Sequence, residues 1–429
     1  MDYTEALDFF ASLQRFGIRL RLDHIRRLLA LSGDPHKRLS CIVVGGTNGK
    51  GSVSAMLSSV LHQAGYKTGL YISPEILSFT ERMRIGGKEI SKKRVAEYVE
   101  NFAPVVEKVS GEMGPPTHFE VVTAMALKYF ADEKVDYCVL EVGMGGRLDA
   151  TNVVEPMLSV ITSIGLDHTE FLGETIEKVA AEKAGIIHKG RPVVCGELDA
   201  SARRVMENKA REMESPVYFV GADVSYKTKS ISSKKTVLDY AGLSLTLKNV
   251  AVPLAGEFQA SNIATALCAL EVLMRGGVEL SEKAMRTGLL KTKWPGRFEV
   301  VGIRPVVVLD GAHNPPAFKI IADSLKRIFP KKRVVLVLSV LDYKDVDGIL
   351  LEAKSVSSTL VATQSSHPRA LSAGKLAAAA KSCRFKVHVE MNPKKAVAAA
   401  KKLAGSSGVV CACGSLYLVG DIKRFLSKK

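Results

Sequence analysis

The stretch "CIVVGGTNGKGSVSAML", residues 41–57, decides how this chain is read. An apolar run at 41–44 enters a loop of Gly45, Gly46, Thr47, Asn48, Gly49, Lys50, Gly51 and Ser52, and a helix-like segment leaves it. Glycines let backbone N–H groups close on phosphate oxygens, a lysine reaches the outer phosphates, and a hydroxyl serves magnesium. Residues 47–52 supply all three between a strand and a helix. The common spacing G-x-x-x-x-G-K-[S/T] is nevertheless broken: Val44 stands where the first glycine belongs, and Gly51 separates Lys50 from Ser52.

Outward from this loop, apolar runs alternate with helical patterns: "SCIVVGG", "VDYCVLEVG", "MLSVITSIG" before "TIEKVAAEKAG", then "RPVVCG". That alternation predicts an α/β fold with a mostly parallel sheet covered by helices. Shorter alternating runs over 221–254 predict an antiparallel ribbon, followed by the helix "SNIATALCALEVLMRGG". A second series ("RPVVVLDGAHNP", "RVVLVLSVL", "TLVATQ", "FKVHVE", "GVVCACGS") predicts a smaller, Rossmann-like C-terminal domain of about 130 residues. Pro295-Gly296 marks the hinge. The expected domains are 1–296, holding ATP, and 297–429.

With 60 Lys and Arg against 44 Asp and Glu the formal charge is +16. The lysines are dispersed and not interleaved with aromatics, so a solvated face and anionic small substrates account for the charge better than nucleic acid. No apolar run approaches the roughly 18 residues that span a bilayer, and the start "MDYTEALDFFASLQRF" lacks the basic, apolar pattern of a signal peptide. Seven scattered cysteines without a C-x-x-C pair fit buried thiols in a reducing compartment. These features predict a cytoplasmic protein that engages neither nucleic acid nor membrane.

Three further sites carry chemistry. Glu141 ends a buried apolar strand, where an unpaired carboxylate is costly; a magnesium ion or an ion pair with Arg147 would justify it. Asp149 and the residues up to Asn152 can form a capped turn. Asp167 and His168 again end a strand, where open parallel sheets place ligands; His168 suits a metal ligand, or else a capping or core role. Lys183, in "AAEKAGII", is apolar enough in context to be buried, which lowers a lysine's pKa and makes the amine reactive.

Taken in order, "GGTNGKGS", "LYISPE", "FTERMRIGG", "THFE", "EVGMGGRLDATN", "GLDHTEFLG", "EKAGI", "WPGRFE" and "LDGAHNP" resemble the folylpolyglutamate synthase/dihydrofolate synthase family, a branch of the Mur ligase superfamily. The resemblance runs through nearly the whole chain, and that superfamily writes its loop G-T-N-G-K-G-[S/T], with the extra glycine. It implies an ATP-dependent amide ligase that adds L-glutamate to folates, to dihydropteroate or to both, through an acyl phosphate. By the same resemblance Thr47, Asn48, Gly49, Lys50, Gly51 and Ser52 hold the triphosphate, and Ser73, Glu141 and His168 serve Mg2+. Lys183 matches a carbamylated lysine, so Lys50, Lys183 and His168 are the implied catalytic set. Asn262, Arg297 and Asp310 match contacts to adenine, phosphate and ribose, with His313 and Asn314 beside them. Thr117, His118, Phe119, Glu120, Leu148, Asp149 and Ala150 match the folate-type pocket, and family members are consistent with a monomer.

One departure stands out, since family members commonly have histidine after the Ser-Pro pair and this chain has Glu75. A Mur ligase acting on a UDP-sugar peptide remains an alternative, although such proteins carry an extra N-terminal domain and here the phosphate loop begins near residue 45. A P-loop protein without ligase activity is the third reading, against which stands the missing guanine-specific N-K-x-D motif.

Overall fold

The computed structural model describes residues 1–17 and 19–426. Its first sheet has eight strands: β1 (Cys41–Gly45), β2 (Thr68–Tyr71), β3 (Met83–Ile85), β4 (Lys88–Glu89), β5 (Tyr137–Glu141), β6 (Pro156–Ile161), β7 (Val193–Cys195) and β8 (Val217–Phe219). They lie in the order β4-β3-β2-β5-β1-β6-β7-β8, and from β2 to β8 every pairing is parallel. β1 sits near the centre, with Val44 level with Glu141 of β5.

Both faces of this sheet are covered, which is why its strands read as unbroken apolar runs rather than alternating ones. Along β1 the pleat sends Cys41 and Val43 to one core, with Leu140 and Phe130, and Ile42 and Val44 to the other, with Met56 and Leu267. The predicted ribbon is a three-stranded antiparallel sheet: β9 (Ser225–Ile231), β10 (Thr236–Ala241) and β11 (Thr246–Val252). Leu238 and Tyr240 from it pack into the second of these cores.

After residue 296 come β12 (Glu299–Ile303), β13 (Val306–Leu309), β14 (Val334–Leu338), β15 (Thr359–Ala362), β16 (Lys386–Val389) and β17 (Val409–Cys413). They form one sheet, β12-β13-β17-β14-β15-β16, parallel except for the β12/β13 hairpin. Its strand order reverses beside β17, and past the carboxyl end of β13 Asn314 Nδ2 donates to Asn48 Oδ1 of the phosphate loop at 3.4 Å, while past that of β14 Lys344 meets Asp167 beyond β6. Ligand clefts of open α/β sheets form at such ends.

Candidate active site

The phosphate loop leaves β1 and starts the helix Lys50–Gln63, with Gly49 at its N-cap. Gly49 has φ +89°, a region that favours glycine, and a Cβ there would lie 2.4 Å from Asn262 Oδ1. Asn262 belongs to the interior of the helix Phe258–Arg275, so it is no helix cap. Gly51, the residue that breaks the common spacing, has a packing role: a Cβ there would lie 2.2 Å from the Trp294 ring. The indole just before the hinge thus seats directly on the first turn of the phosphate-loop helix. On the other side, Thr47 N–H donates to Ser163 O at 2.7 Å, its Oγ1 donates to Gly165 O at 3.0 Å, and Asn48 N–H donates to Ser163 Oγ at 3.0 Å.

Two lysines converge on this loop. Lys50 Nζ donates to Gly46 O and Thr47 O, each at 3.1 Å, and Lys183 Nζ donates to Gly46 O at 2.8 Å. Burial lowers the pKa of both; for Lys183, burial and then the nearby charge of Lys50 bring it to about 7. The amine is therefore substantially unprotonated near neutral pH, as its apolar sequence context predicted.

Glu141 is buried, and burial raises its pKa despite the nearby charge of Lys50. Arg147 is not its partner; that guanidinium pairs with Glu182 at 2.8 Å. Glu141 Oε2 accepts instead from Ser73 N–H at 3.2 Å. His168, in a left-handed conformation at φ +50°, has a buried Nδ1 without a hydrogen-bond partner, and burial lowers its pKa to about 4. A desolvated carboxylate, a hydroxyl-bearing serine and an unpartnered neutral imidazole suit a cation that takes few protein ligands and completes its shell with phosphate and water. Magnesium is such a cation.

The opposite wall comes from the C-terminal sheet. Asp310, just past β13, accepts from Phe298 N–H at 2.7 Å and Ala312 N–H at 2.6 Å. Those bonds fix the turn that carries Arg297 and His313; burial raises the Asp310 pKa. His313 places Nδ1 2.8 Å from Gly311 O and Nε2 3.3 Å from Asp167 Oδ2. Asn314 Nδ2 donates to Asp167 Oδ2 at 3.0 Å. Lys344 Nζ lies 2.5 Å from Asp167 Oδ1, with both side chains nearly buried, at 6% and 10% exposure. Burial opposes the charge on Asp167, yet the His313 hydrogen bond and the cations around it hold its carboxyl far below the usual range. Asp167 thus ties the end of the first sheet to the second. Lys344 escaped the sequence reading because "LDYKD" has the look of any charged loop.

These walls enclose two cavities. The larger, about 520 Å3, is lined by residues 46–52 of the phosphate loop together with Glu141, Lys183, Asn262, Arg297 and Asp310. The smaller, about 340 Å3, is lined by Thr117, His118, Phe119, Glu120, Leu148, Asp149 and Ala150. Ser73, Pro74, His168 and His313 line both. A shallower depression of about 730 Å3, between Leu77 and Phe425, contains no phosphate-loop residue.

In the smaller cavity several expected residues have structural duties too. Thr117 and Glu120 form a capping box at the start of the helix His118–Asp132, with Thr117 N–H donating to Glu120 Oε2 at 2.7 Å. Glu120 Oε1 stays buried and unpartnered, an acceptor waiting for an N–H donor. Asp149 accepts from Met144 N–H at 2.8 Å and Thr151 N–H at 3.0 Å, the capped turn foreseen in the sequence. Arg19, Arg21, Arg82 and Lys344 also line this space and were not anticipated. The paired arginines of "GIRLRLDH" were the available signal for the first two.

Comparison with known proteins agrees with this geometry. Residues 44–270 match the Mur ligase middle domain, and residues 296–416 match the Mur ligase, glutamate ligase domain. A dihydrofolate synthase/folylpolyglutamate synthase of Bacillus subtilis (strain 168) is 35% identical over 428 residues, 99% of each chain. Among solved structures, Mycobacterium tuberculosis folylpolyglutamate synthase complexed with ADP and AMPPCP matches with a TM-score of 0.93 at 34% identity, over 100% of both chains. Escherichia coli FolC in complex with DHPP and ADP matches at 0.89 and 32%, over 100% of this chain and 98% of that one. The chain belongs to the dihydrofolate synthase/folylpolyglutamate synthase family of Mur ligases.

Proposed function

We infer that the protein is an ATP-dependent ligase that joins L-glutamate to folates, to dihydropteroate or to both, through an acyl phosphate. The observation that carries this reading is the pair of cavities meeting at Ser73, His168 and His313, one lined by a phosphate loop and the other by an apolar and hydrogen-bonding pocket. In this reading residues 1–296 bind nucleotide and residues 297–429 bring the glutamate site.

The nucleotide occupies the larger cavity, its phosphates against residues 47–52 and its base and ribose near Asn262 and Asp310. The acceptor lies in the smaller cavity, where Glu120 Oε1 takes an N–H of the pterin and the acceptor carboxylate reaches the junction. One carboxylate oxygen attacks the γ-phosphorus, the bond to ADP breaks, and an acyl phosphate forms. Lys50 and Arg297 offset the negative charge that gathers there. Ser73, Glu141 and His168 would hold Mg2+, which supplies further charge neutralisation when bound.

The amine of glutamate then attacks the acyl carbon, phosphate leaves, and the amine's proton is released. Positioning dominates, so no covalent nucleophile is assigned. An amine with a pKa near 7 beside Lys50 suits carbamylation of Lys183, which replaces cation–cation repulsion with attraction. Both cavities are built within one chain, which supports a monomer. Free cysteines, six of the seven buried, support a cytoplasmic setting.

The test is phosphate release from ATP and magnesium in the presence of glutamate with either dihydropteroate or a reduced folate. Stimulation by at least one acceptor is expected. Release that neither acceptor stimulates defeats the assignment.

A further inference from the structure

Arg82 is a buried cation with an incomplete set of partners. Its side chain is 10% exposed, and its Nε donates to Glu75 Oε2 at 2.6 Å. Among the described residues its terminal nitrogens have no hydrogen-bond partner, although a guanidinium offers five N–H donors in a planar fork. Arg82 lines the smaller cavity beside Ser73 and Pro74, at the junction with the nucleotide chamber; Glu75 does not line it. Arg82 therefore borders the acceptor space while its carboxylate partner lies outside the lining. Lys344 in that cavity is paired with Asp167 and Arg19 donates to Pro115 O at 3.3 Å, while Arg21, whose Nη2 lies 2.9 Å from His24 Nε2 and whose buried Nε has no partner, is held against the N-terminal helices by that contact.

The acceptors open to this family differ in charge at that place. Dihydropteroate has one carboxylate, the reacting one. A folate glutamate carries α-carboxylates beside its reacting γ-carboxylate, and these need a cation near the junction. Arg82 is placed for that task, but Glu75 cancels most of its charge and repels any second anion docked on its far side.

Resting on the ligase reading above, we propose that Glu75 is a specificity-determining residue: by neutralising Arg82 it weakens the hold on acceptors with a second carboxylate and tilts the enzyme toward dihydropteroate. Two like charges roughly 6 Å apart, in surroundings between bulk water and protein interior, change binding by about tenfold. The test measures kcat/KM of the full chain with dihydropteroate and with tetrahydrofolate mono- and diglutamate. Glu75→Gln keeps an acceptor for Arg82 Nε and removes the charge. It is expected to raise the folylglutamate-to-dihydropteroate ratio about tenfold, mainly through KM, while Glu75→Asp, which keeps the charge, leaves the ratio within about twofold. A ratio unchanged in Glu75→Gln, or shifted equally in Glu75→Asp, overturns the proposal, since a structural role would lower activity with every acceptor alike. A wild-type enzyme inactive with all acceptors would instead overturn the ligase reading.

Discussion

Replacing Lys344 with methionine should loosen the joint between the two sheets, by an amount the geometry allows to be worked. The Lys344–Asp167 pair is 2.5 Å apart and nearly dry. Breaking a buried pair by deleting one partner costs about 3–5 kcal/mol, mostly from the charge left behind. Asp167 keeps His313 and Asn314, so the lower end, about 3 kcal/mol, is expected. An unfolding entropy of roughly 2.1 cal/mol/K per residue, over 429 residues, turns that into a fall in Tm of about 3 °C if the chain unfolds as one unit. Asp167→Asn should cost a comparable amount, because it strands Lys344. The double variant should then cost less than the sum by more than about 1 kcal/mol, beyond the scatter of independent sites. The measurement is a denaturant double-mutant cycle. The depressed Asp167 pKa sets a separate pH dependence: the contribution of this carboxylate to stability is fully present above the ordinary carboxyl value of 3.8 and falls away progressively as pH drops from there toward its much lower folded value. Additive single costs at pH 7 would refute the ion-pair account.

Gly51→Ala should drive a methyl into the Trp294 ring and cost about 1–3 kcal/mol, and calorimetry should show weaker ATP binding beyond the loss of stability. Lys183→Met should abolish ligation yet leave Tm at pH 7 equal or higher. In the unmodified protein, kept free of carbon dioxide, the amine is buried with a pKa near 7, so wild-type stability rises as pH climbs from 7 toward 10.5, and the variant's advantage should shrink over that window. A Tm that falls more at pH 7 than at pH 9 contradicts this, as does retained activity. Burial holds both His118 and His168 near pKa 4, below the ordinary 6.5. Their contribution to stability is present above pH 6.5 and lost as pH falls toward 4, so urea unfolding should show a loss of roughly 2 kcal/mol for each imidazole between pH 7 and pH 5; a flat profile would count against neutral, buried imidazoles.

The sequence made the phosphate loop, Glu141, His168 and Lys183 legible because each breaks a local rule. A carboxylate ending an apolar strand, or a lysine inside an apolar helix face, is costly unless something nearby compensates it. Lys344 and Arg82 break no such rule. Their burial arises from contacts far along the chain, with Asp167 and with the cavity wall, and no local pattern of spacing encodes them. Asp149 and Thr117 show the converse: they were expected at the pocket by resemblance, and the structure shows that their side chains first fix the turns that shape it.

Gly51 joins these observations. An insertion that only lengthened the phosphate loop would alter the ligand's cradle alone. Here the missing Cβ admits Trp294, which immediately precedes Pro295 and Gly296, and Arg297 follows to line the nucleotide cavity. Gly311 N–H donates to Gly296 O at 2.9 Å, so the same short segment is also bonded to the turn carrying Asp310 and His313. The phosphate-loop helix is thus joined through one ring contact and one backbone hydrogen bond to the residues that complete the site from the second sheet. The additional glycine makes that contact possible at the roughly 0.5–1 kcal/mol that glycine costs within a helix, because a side chain at position 51 would collide with the indole, which leads through Pro295 and Gly296 to Arg297.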